Sequence, residues 1–328
     1  MSILITGGTG FIGSRLSLLC KERGFNVRVL GQENTEAEKQ NSKLLKEKGV
    51  EVILSSVSEI EKVSESFSGV DVVIHLAAAQ HEMNIPDEKF REVNVNGTKN
   101  LVETSIKNRV KRFVYGSTIG VYGKLEGIID EDSSCSPVNI YGKTKLEAEK
   151  LVQNYSDKIE TVIIRIPETY GPGDRRLLKL FKGIKKNVFF IIGSGKNLHH
   201  PIFITDLAEG LILAASKNNA AGKTFLFAGK SAITTNEMVS AIAESLDKKN
   251  PWLKVPLFPM MFIAAVFEMI FRPLGIQPPL HRRRMDFFVK SYSFSIKRAE
   301  ECLGFSPEHD FTDGTKITKR WYEEMKLL

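Results

Sequence analysis

Tyr141 and Lys145 stand four residues apart in Tyr141-Gly142-Lys143-Thr144-Lys145. On a helix that spacing makes the two side chains neighbours. A free phenol has a pKa near 10, too high for an efficient base at neutral pH. An adjacent ammonium favours the phenolate and lowers that pKa, so the pair suits proton transfer to or from an alcohol. A second segment reads Thr6-Gly7-Gly8-Thr9-Gly10-Phe11-Ile12-Gly13. Its glycines follow an apolar strand and open a helix, the context in which such a turn holds a dinucleotide. Gly7 permits the tight turn, Gly10 lets the backbone approach a pyrophosphate at the helix start, and Gly13 lets the helix pack on the sheet. Together the two segments predict hydride transfer between a nicotinamide and a carbon–oxygen centre. A positive, oxidised nicotinamide would favour the phenolate further.

These residues need a rigid frame, and the apolar pattern supplies one. Strands are predicted at residues 3–5, 27–30, 50–54, 70–76, 112–115 and 161–166. Helices are predicted at 11–23, at 87–107 and from Tyr141 to about residue 155. Short apolar strands between amphipathic helices predict an α/β fold, a Rossmann-type doubly wound parallel sheet. Such sheets bind ligands at the carboxyl ends of the strands, where strand order reverses. After Pro167 prolines and glycines become frequent and strands sparse. Residues 1–167 are therefore expected to form the dinucleotide-binding domain. Residues 202–229, read as strand then helix, are expected to return to it, and 168–201 and 230–328 to form a smaller substrate-binding domain.

The chain has 328 residues, 42% hydrophobic and 26% charged, with a formal net charge of +7. That length and composition suit one large and one smaller globular domain that need no disulfides. Cys20, Cys135 and Cys302 form no disulfide or metal-ligand pattern, which suits a reducing cytoplasm. Met1-Ser2 runs directly into an apolar strand, with no basic leader or cleavage site. The basic runs lack interleaved stacking aromatics, so nucleic acid is not an expected partner. His75 reads as a structural histidine in a buried strand. His199-His200 read as lining the substrate side or as surface residues, and Glu308-His309 as surface. None has the spacing of a helical zinc pair, and no catalytic metal is expected. The run from 257 to 271 is almost wholly apolar apart from Glu268. A span needs about 20 apolar residues. A buried or substrate-covering helix is the favoured reading, with a monotopic membrane contact as the alternative.

The string Thr6 to Gly13 resembles the short-chain dehydrogenase/reductase superfamily, and specifically its extended branch, the NAD-dependent epimerase/dehydratase family. Further segments resemble that family in order. They are Asp71-Val-Val-Ile-His75-Leu-Ala77-Ala78, Asn94-Val-Asn96-Gly97-Thr98, Ser117-Thr118-x-x-Val121-Tyr122-Gly123, and the loop from Arg165 through Tyr170-Gly171-Pro172-Gly173-Asp174. The resemblance implies that Thr118, Tyr141 and Lys145 are catalytic, with Ser117 the runner-up for the hydroxyl that orients the substrate oxygen. It implies that Lys145 bonds the nicotinamide ribose and that Asn94 helps hold the active-site helix. The cofactor site it implies comprises Gly7, Gly10, Phe11, Ile12, Gly13, Gly31, Gln32, Val57, Leu76, Ala77, Ala78, Asn94, Ser117, Tyr141, Lys145, Ile166 and Pro167. A homodimer is also implied, through the helices at 87–107 and 141–155.

The cofactor is NAD or NADP. An acid at the end of strand two would select NAD, but Gly31-Gln32 stand there. Glu33 is within reach of a ribose, and Arg15, Lys39 or Lys43 of a 2′-phosphate. The substrate is a small molecule. Nucleotide-sugar epimerases and dehydratases of the family usually carry an Asn before Tyr-Gly-Pro, where this chain has Glu168-Thr169, and an arginine where it has His199-His200, a place that Lys196 or Arg282 to Arg284 could fill. The ending, with Pro278-Pro279-Leu280, Tyr292-Ser-Phe-Ser-Ile-Lys297-Arg298-Ala299 and Leu303-Gly-Phe-Ser-Pro307, resembles the 3β-hydroxysteroid dehydrogenase and dihydroflavonol reductase branch. The expectation is an NAD(P)-dependent oxidoreductase acting on a secondary alcohol or ketone. The alternatives are a nucleotide-sugar epimerase or dehydratase resembling UDP-glucose 4-epimerase, and a non-catalytic NAD(P)-binding redox sensor.

Overall fold

The computed structural model describes residues 1–59, 63–80, 86–271 and 282–328. β1 (Ser2–Thr6), β2 (Asn26–Gly31), β3 (Glu51–Leu54), β4 (Val72–His75), β5 (Arg112–Thr118), β6 (Glu160–Ile166) and β7 (Thr224–Leu226) form one parallel sheet. Their order is β7-β6-β5-β4-β1-β2-β3, which reverses at β1. Every residue of Ile3-Leu4-Ile5 is fully buried, as a strand covered on both faces requires. Ile3 and Ile5 pack in one core cluster, and Leu4 in the other.

Helices α1 (Phe11–Glu22), α2 (Glu36–Glu47), α3 (87–107) and α4 (Ile140–Gln153) lie among the strands. They are followed by α5 (Leu178–Lys185), α6 (Ile204–Ser216), α7 (Thr235–Ser245), α8 (Leu257–Phe271), α9 (Arg282–Val289), α10 (Lys297–Leu303) and α11 (Phe311–Glu324). Leu16 of α1 and Leu207 and Leu211 of α6 cover the Ile3/Ile5 face. Leu101 and Val102 of α3 and Ala148 and Val152 of α4 cover the Leu4 face. A third cluster joins Phe181 and Ile184 of α5, Val239 and Ile242 of α7, and Tyr322 of α11.

The structure corrects the sequence reading in several places. α2 has no counterpart among the predicted helices, because it is largely charged and buries only Ser42 and Leu45. α3 is not a uniform α-helix. Asp87–Arg91 and Thr98–Lys107 are α, and Glu92–Gly97 between them is a π segment. β5 runs on to Thr118, three residues past the predicted end. Gly116 permits this, since a Cβ there would stand 2.6 Å from the Leu76 side chain. Ile202–Phe203 pairs with Thr169–Tyr170 instead of the main sheet, and β7 is the strand that joins the sheet, beside β6.

α8 departs furthest from expectation. Among its residues only Ala264 and Glu268 are buried, so the reading as a buried helix fails. One face packs through Leu257, Met260, Met261 and Ala264 on Ile192, Met285 and Phe288. The opposite face is apolar too and lies open. Among the described residues no helix is long and apolar enough to cross a membrane. Arg272 and Pro278-Pro279-Leu280 lie outside the described residues.

Candidate active site

The glycine turn sits at the carboxyl end of β1, at the strand reversal. Gly7 adopts φ +68°, and a Cβ there would stand 2.7 Å from the Ala77 backbone nitrogen. A Cβ on Gly13 would stand 2.3 Å from the Gly7 carbonyl oxygen. Either side chain would fill the cradle. α1 begins without a side-chain cap, so its first N–H groups remain available to an anion. Across the reversal, the Ser117 hydroxyl is buried with no hydrogen-bond partner among the described residues. An open helix start, a cradle that a Cβ would fill and an unsatisfied buried hydroxyl all fit a dinucleotide.

A buried polar chain ties this turn to the neighbouring elements. His75 Nδ1 lies 2.6 Å from the Thr6 hydroxyl, and Nε2 lies 2.9 Å from the Thr98 hydroxyl. The Thr98 hydroxyl donates to the Asn94 carbonyl, so it accepts from Nε2–H. Burial, assisted by the charge of Lys145, pushes His75 well below its ordinary pKa, and the ring is neutral. His75 is thus the structural histidine that the sequence suggests. The Asn94 side chain accepts from Ala79 N–H, and it donates to the Ala79 carbonyl and the Thr144 hydroxyl. Both amide hydrogens and one lone pair of the oxygen go to fixing the post-β4 loop against α4, which is a positioning role.

α4 carries Tyr141 and Lys145. Asn139 caps it by accepting from Gly142 N–H at 2.8 Å. Gly142 lets the helix start press on the 119–121 turn, for a Cβ there would stand 2.5 Å from the Gly120 oxygen. The Tyr141 phenol accepts from Gln80 Nε2 at 3.2 Å and hydrogen-bonds Thr118. Burial pushes the phenol up, against the opposing pull of Gln80, Thr118 and Arg176. This reverses the expected lowering by Lys145. The reason is geometric, since Lys145 Nζ donates to the Gly116 carbonyl at 2.6 Å and lies over the Tyr115 ring. Burial also pulls Lys145 down to about 7, against the charge of Glu149. One turn along α4, Glu149 pairs with Arg165 of β6 at 2.9 Å, both buried, and Arg165 also donates to Tyr122 and the Glu131 carbonyl.

After β6 the chain bends through Pro167 to Glu168. The Glu168 carboxylate accepts from His199 Nδ1 at 3.1 Å, and 46% of the Glu168 side chain is accessible while His199 is buried. Burial opposes ionisation of Glu168, but the His199 hydrogen bond and charge, with Arg176, outweigh it and hold the carboxyl below its ordinary value. The other His199 nitrogen meets the Thr235 hydroxyl at 3.0 Å, and its ring lies on Phe287 of α9. His200 bonds the Gly229 carbonyl and accepts from Phe294 N–H. Neither histidine is a surface residue. Glu308 is exposed, as the sequence suggests, while its neighbour His309 is only partly exposed and bonds Asp206.

The structure brings together Thr118 and Tyr141, with Ser117, Leu76, Ala77, Ile166 and Pro167 at adjacent strand ends. Ala78 follows in the loop after β4. Phe11 and Ile12 occupy the first turn of α1. Gly31 touches Thr9, whose hydroxyl accepts from Gln32 N–H. Val57 is buried and packs against Gly97. Glu33 pairs with Lys46, and Arg15 lies over the Trp321 ring. Three neighbours of the site escaped the sequence reading: Gln80, Arg176 and the Glu168–His199 pair as a pair. The substitution at Glu168 was the one visible signal. Among the described residues no group of three or more His, Cys, Asp or Glu could hold a metal ion.

Known proteins resemble the chain over nearly its whole length. The chain is 27% identical, over 98% of its length and 95% of the relative's, to N-acetyl-alpha-D-glucosaminyl-diphospho-ditrans,octacis-undecaprenol 4-epimerase of Escherichia coli O157:H7. It is 29% identical, over 99% of both, to the decarboxylating sterol-4-alpha-carboxylate 3-dehydrogenase of Schizosaccharomyces pombe. Its fold matches the structure of UDP-glucuronic acid 4-epimerase from Bacillus cereus in complex with NAD, with a TM-score of 0.80, 22% identity and 99% of each chain covered. The profile of the NAD dependent epimerase/dehydratase family matches residues 3–228, and the chain belongs to that family of enzymes.

Proposed function

We propose that the protein is a dehydrogenase or reductase interconverting a secondary alcohol and a ketone, with Tyr141 as the proton-transfer group. The nicotinamide supplies the hydride acceptor or donor when bound. Tyr141 takes the alcohol proton in oxidation and returns it in reduction. Thr118, which hydrogen-bonds the phenol, orients the same oxygen and stabilises charge developing on it. Lys145 supplies the ammonium beneath the site and the ribose contact. Gln80 holds the phenol from the loop side.

The observation that carries the choice of net redox over epimerisation is Glu168. Its carboxylate is held ionised by His199, where diphosphate-sugar enzymes of the family carry a neutral Asn. A fixed negative charge there opposes a diphosphate. The epimerase reading rests on a different observation: residues 175–205 hold seven Lys and Arg and no acid, a setting that would suit an anionic substrate.

The test follows reduced cofactor and product together. Purified protein is given NAD or NADP with a panel of hydroxysteroids and diphosphate-linked sugars. Net accumulation of NAD(P)H with one alcohol is the expected result and names the cofactor. Conversion of a diphosphate sugar without net reduced cofactor would replace this reading with epimerisation.

A further inference from the structure

The outer face of α8 is built for a surface other than water. Phe258, Phe262 and Met269 share one stripe at helical spacing, and they are 84%, 66% and 72% exposed. Ile263 and Ile270 flank them, also exposed. Just before the helix Trp252 is 86% exposed, beside exposed Leu253. Ile191–Ile192 and Lys254–Val255 pair in parallel, which sets the turn carrying exposed Val188 alongside the Trp252 loop. Large exposed apolar side chains are normally scattered singly, whereas a contiguous set marks an interaction site.

The charge of the chain is concentrated in the same segments. Residues 175–205 and 248–290 contain fifteen Lys and Arg against two acids, Glu268 and Asp286. Glu268 is buried and Asp286 is paired with Lys290. The rest of the chain carries a net −6, so the overall +7 conceals a strongly polar distribution. Lys185, Lys186, Lys248, Lys249 and Lys254 are all exposed around the apolar face.

We propose that α8 and the Trp252 loop dock in the interfacial plane of an anionic lipid bilayer. The apolar stripe enters the acyl boundary and the surrounding lysines meet the headgroups. Among the described residues α8 is too short to span, since fifteen residues of helix reach about 22 Å against a hydrocarbon core of about 30 Å. A second copy of the chain would bring the same positive field against itself, which charge repulsion opposes. The docked face is also connected to the cleft. α8 packs on α9 through Met285 and Phe288, and Phe287 of α9 lies on His199, which bonds Glu168. A bilayer-resident alcohol would thus be delivered beside Glu168; that consequence alone rests on the proposed redox function, and docking does not.

The full-length protein is sedimented with vesicles of phosphatidylcholine alone and of equal phosphatidylcholine and phosphatidylglycerol. Phe258→Glu/Phe262→Glu and Lys248→Glu/Lys249→Glu variants are run alongside, with NADH binding followed by nicotinamide fluorescence to report an intact fold. The expected result is binding to the anionic vesicles, weakened about tenfold or more by the double Phe substitution and by high salt, with NADH affinity unchanged. The Lys pair should weaken binding to anionic vesicles in the same direction. Absence of binding to anionic vesicles, or equal binding by the wild type and the double Phe variant, overturns the proposal. So does a dimer in light scattering that the double Phe variant dissociates, which would assign the face to a second copy. Cofactor reduction assays test the redox reading separately, because vesicle binding is independent of turnover.

Discussion

β1 and α8 are both strongly apolar, and they end in opposite surroundings. Ile3, Leu4 and Ile5 are sealed between two helical layers, while Phe258 and Phe262 stand in the open. The difference is a matter of partners. A strand at the middle of a parallel sheet receives neighbours on both edges and both faces from the topology itself. α8 has one face on Ile192, Met285 and Phe288, and the fold supplies nothing for the other. Hydropathy records what a segment can bury; the topology decides whether the molecule provides the cover.

Substitutions can break or sharpen that contrast. The largest effect belongs to the sheet side, where Tyr141→Phe is expected to cut turnover by about 10²–10⁴ while leaving NADH binding by fluorescence intact. Unchanged turnover would remove Tyr141 from the chemistry. Next, Glu149→Ala leaves the Arg165 guanidinium buried without its carboxylate, at a cost of about 3–5 kcal/mol by urea denaturation. Ile5→Ala opens the core and should cost about 2–5 kcal/mol by the same measurement.

A pH series isolates Lys145. Its folded pKa of about 7 lies below its ordinary value of 10.5, so the unfolded chain binds more protons between those values. Stability from this group therefore rises with pH across that window, by about 1 kcal/mol per pH unit. Lys145→Met should flatten that rise in melts at pH 7, 8 and 9, and a slope identical to the wild type would contradict the assignment. The smallest effect is the sharpest test of the comparison. Phe258→Ala should stay within about 0.5 kcal/mol of the wild type, because an exposed side chain has little packing to lose. A loss as large as that of Ile5→Ala would mean that α8 is covered after all.

What the sequence discloses follows the range of the interactions. The glycine turn, six of the seven strands of the main sheet and the Tyr141 helix rest on neighbours a few residues apart, and those patterns survive in a linear reading. α2 was missed although its signal was local. Thr35 and Glu38 form a reciprocal capping box, but the helix they open is too charged to show an apolar stripe. Pairings across the fold left no such trace. Arg165 finds Glu149 across 16 residues, His199 finds Glu168 across 31, and Gln80 finds Tyr141 across 61. The contribution of Lys145 to lowering the phenol pKa is expected from i, i+4 proximity. The side chain of Lys145 instead turns to a carbonyl of β5, a partner set by tertiary packing.

The π segment in α3 has a consequence for how the chain tolerates change. It holds one residue more than the turn of an α-helix would take, and it sets the phase between the two α portions. Deleting one residue from 92–97 would give a more regular helix and rotate the leading turn by about 100° against the trailing one. Phe90, now buried, would swing off the core, and Asn94 could no longer meet Ala79 and Thr144 together. A length change that local helix geometry would welcome is therefore one that the assembled site rejects.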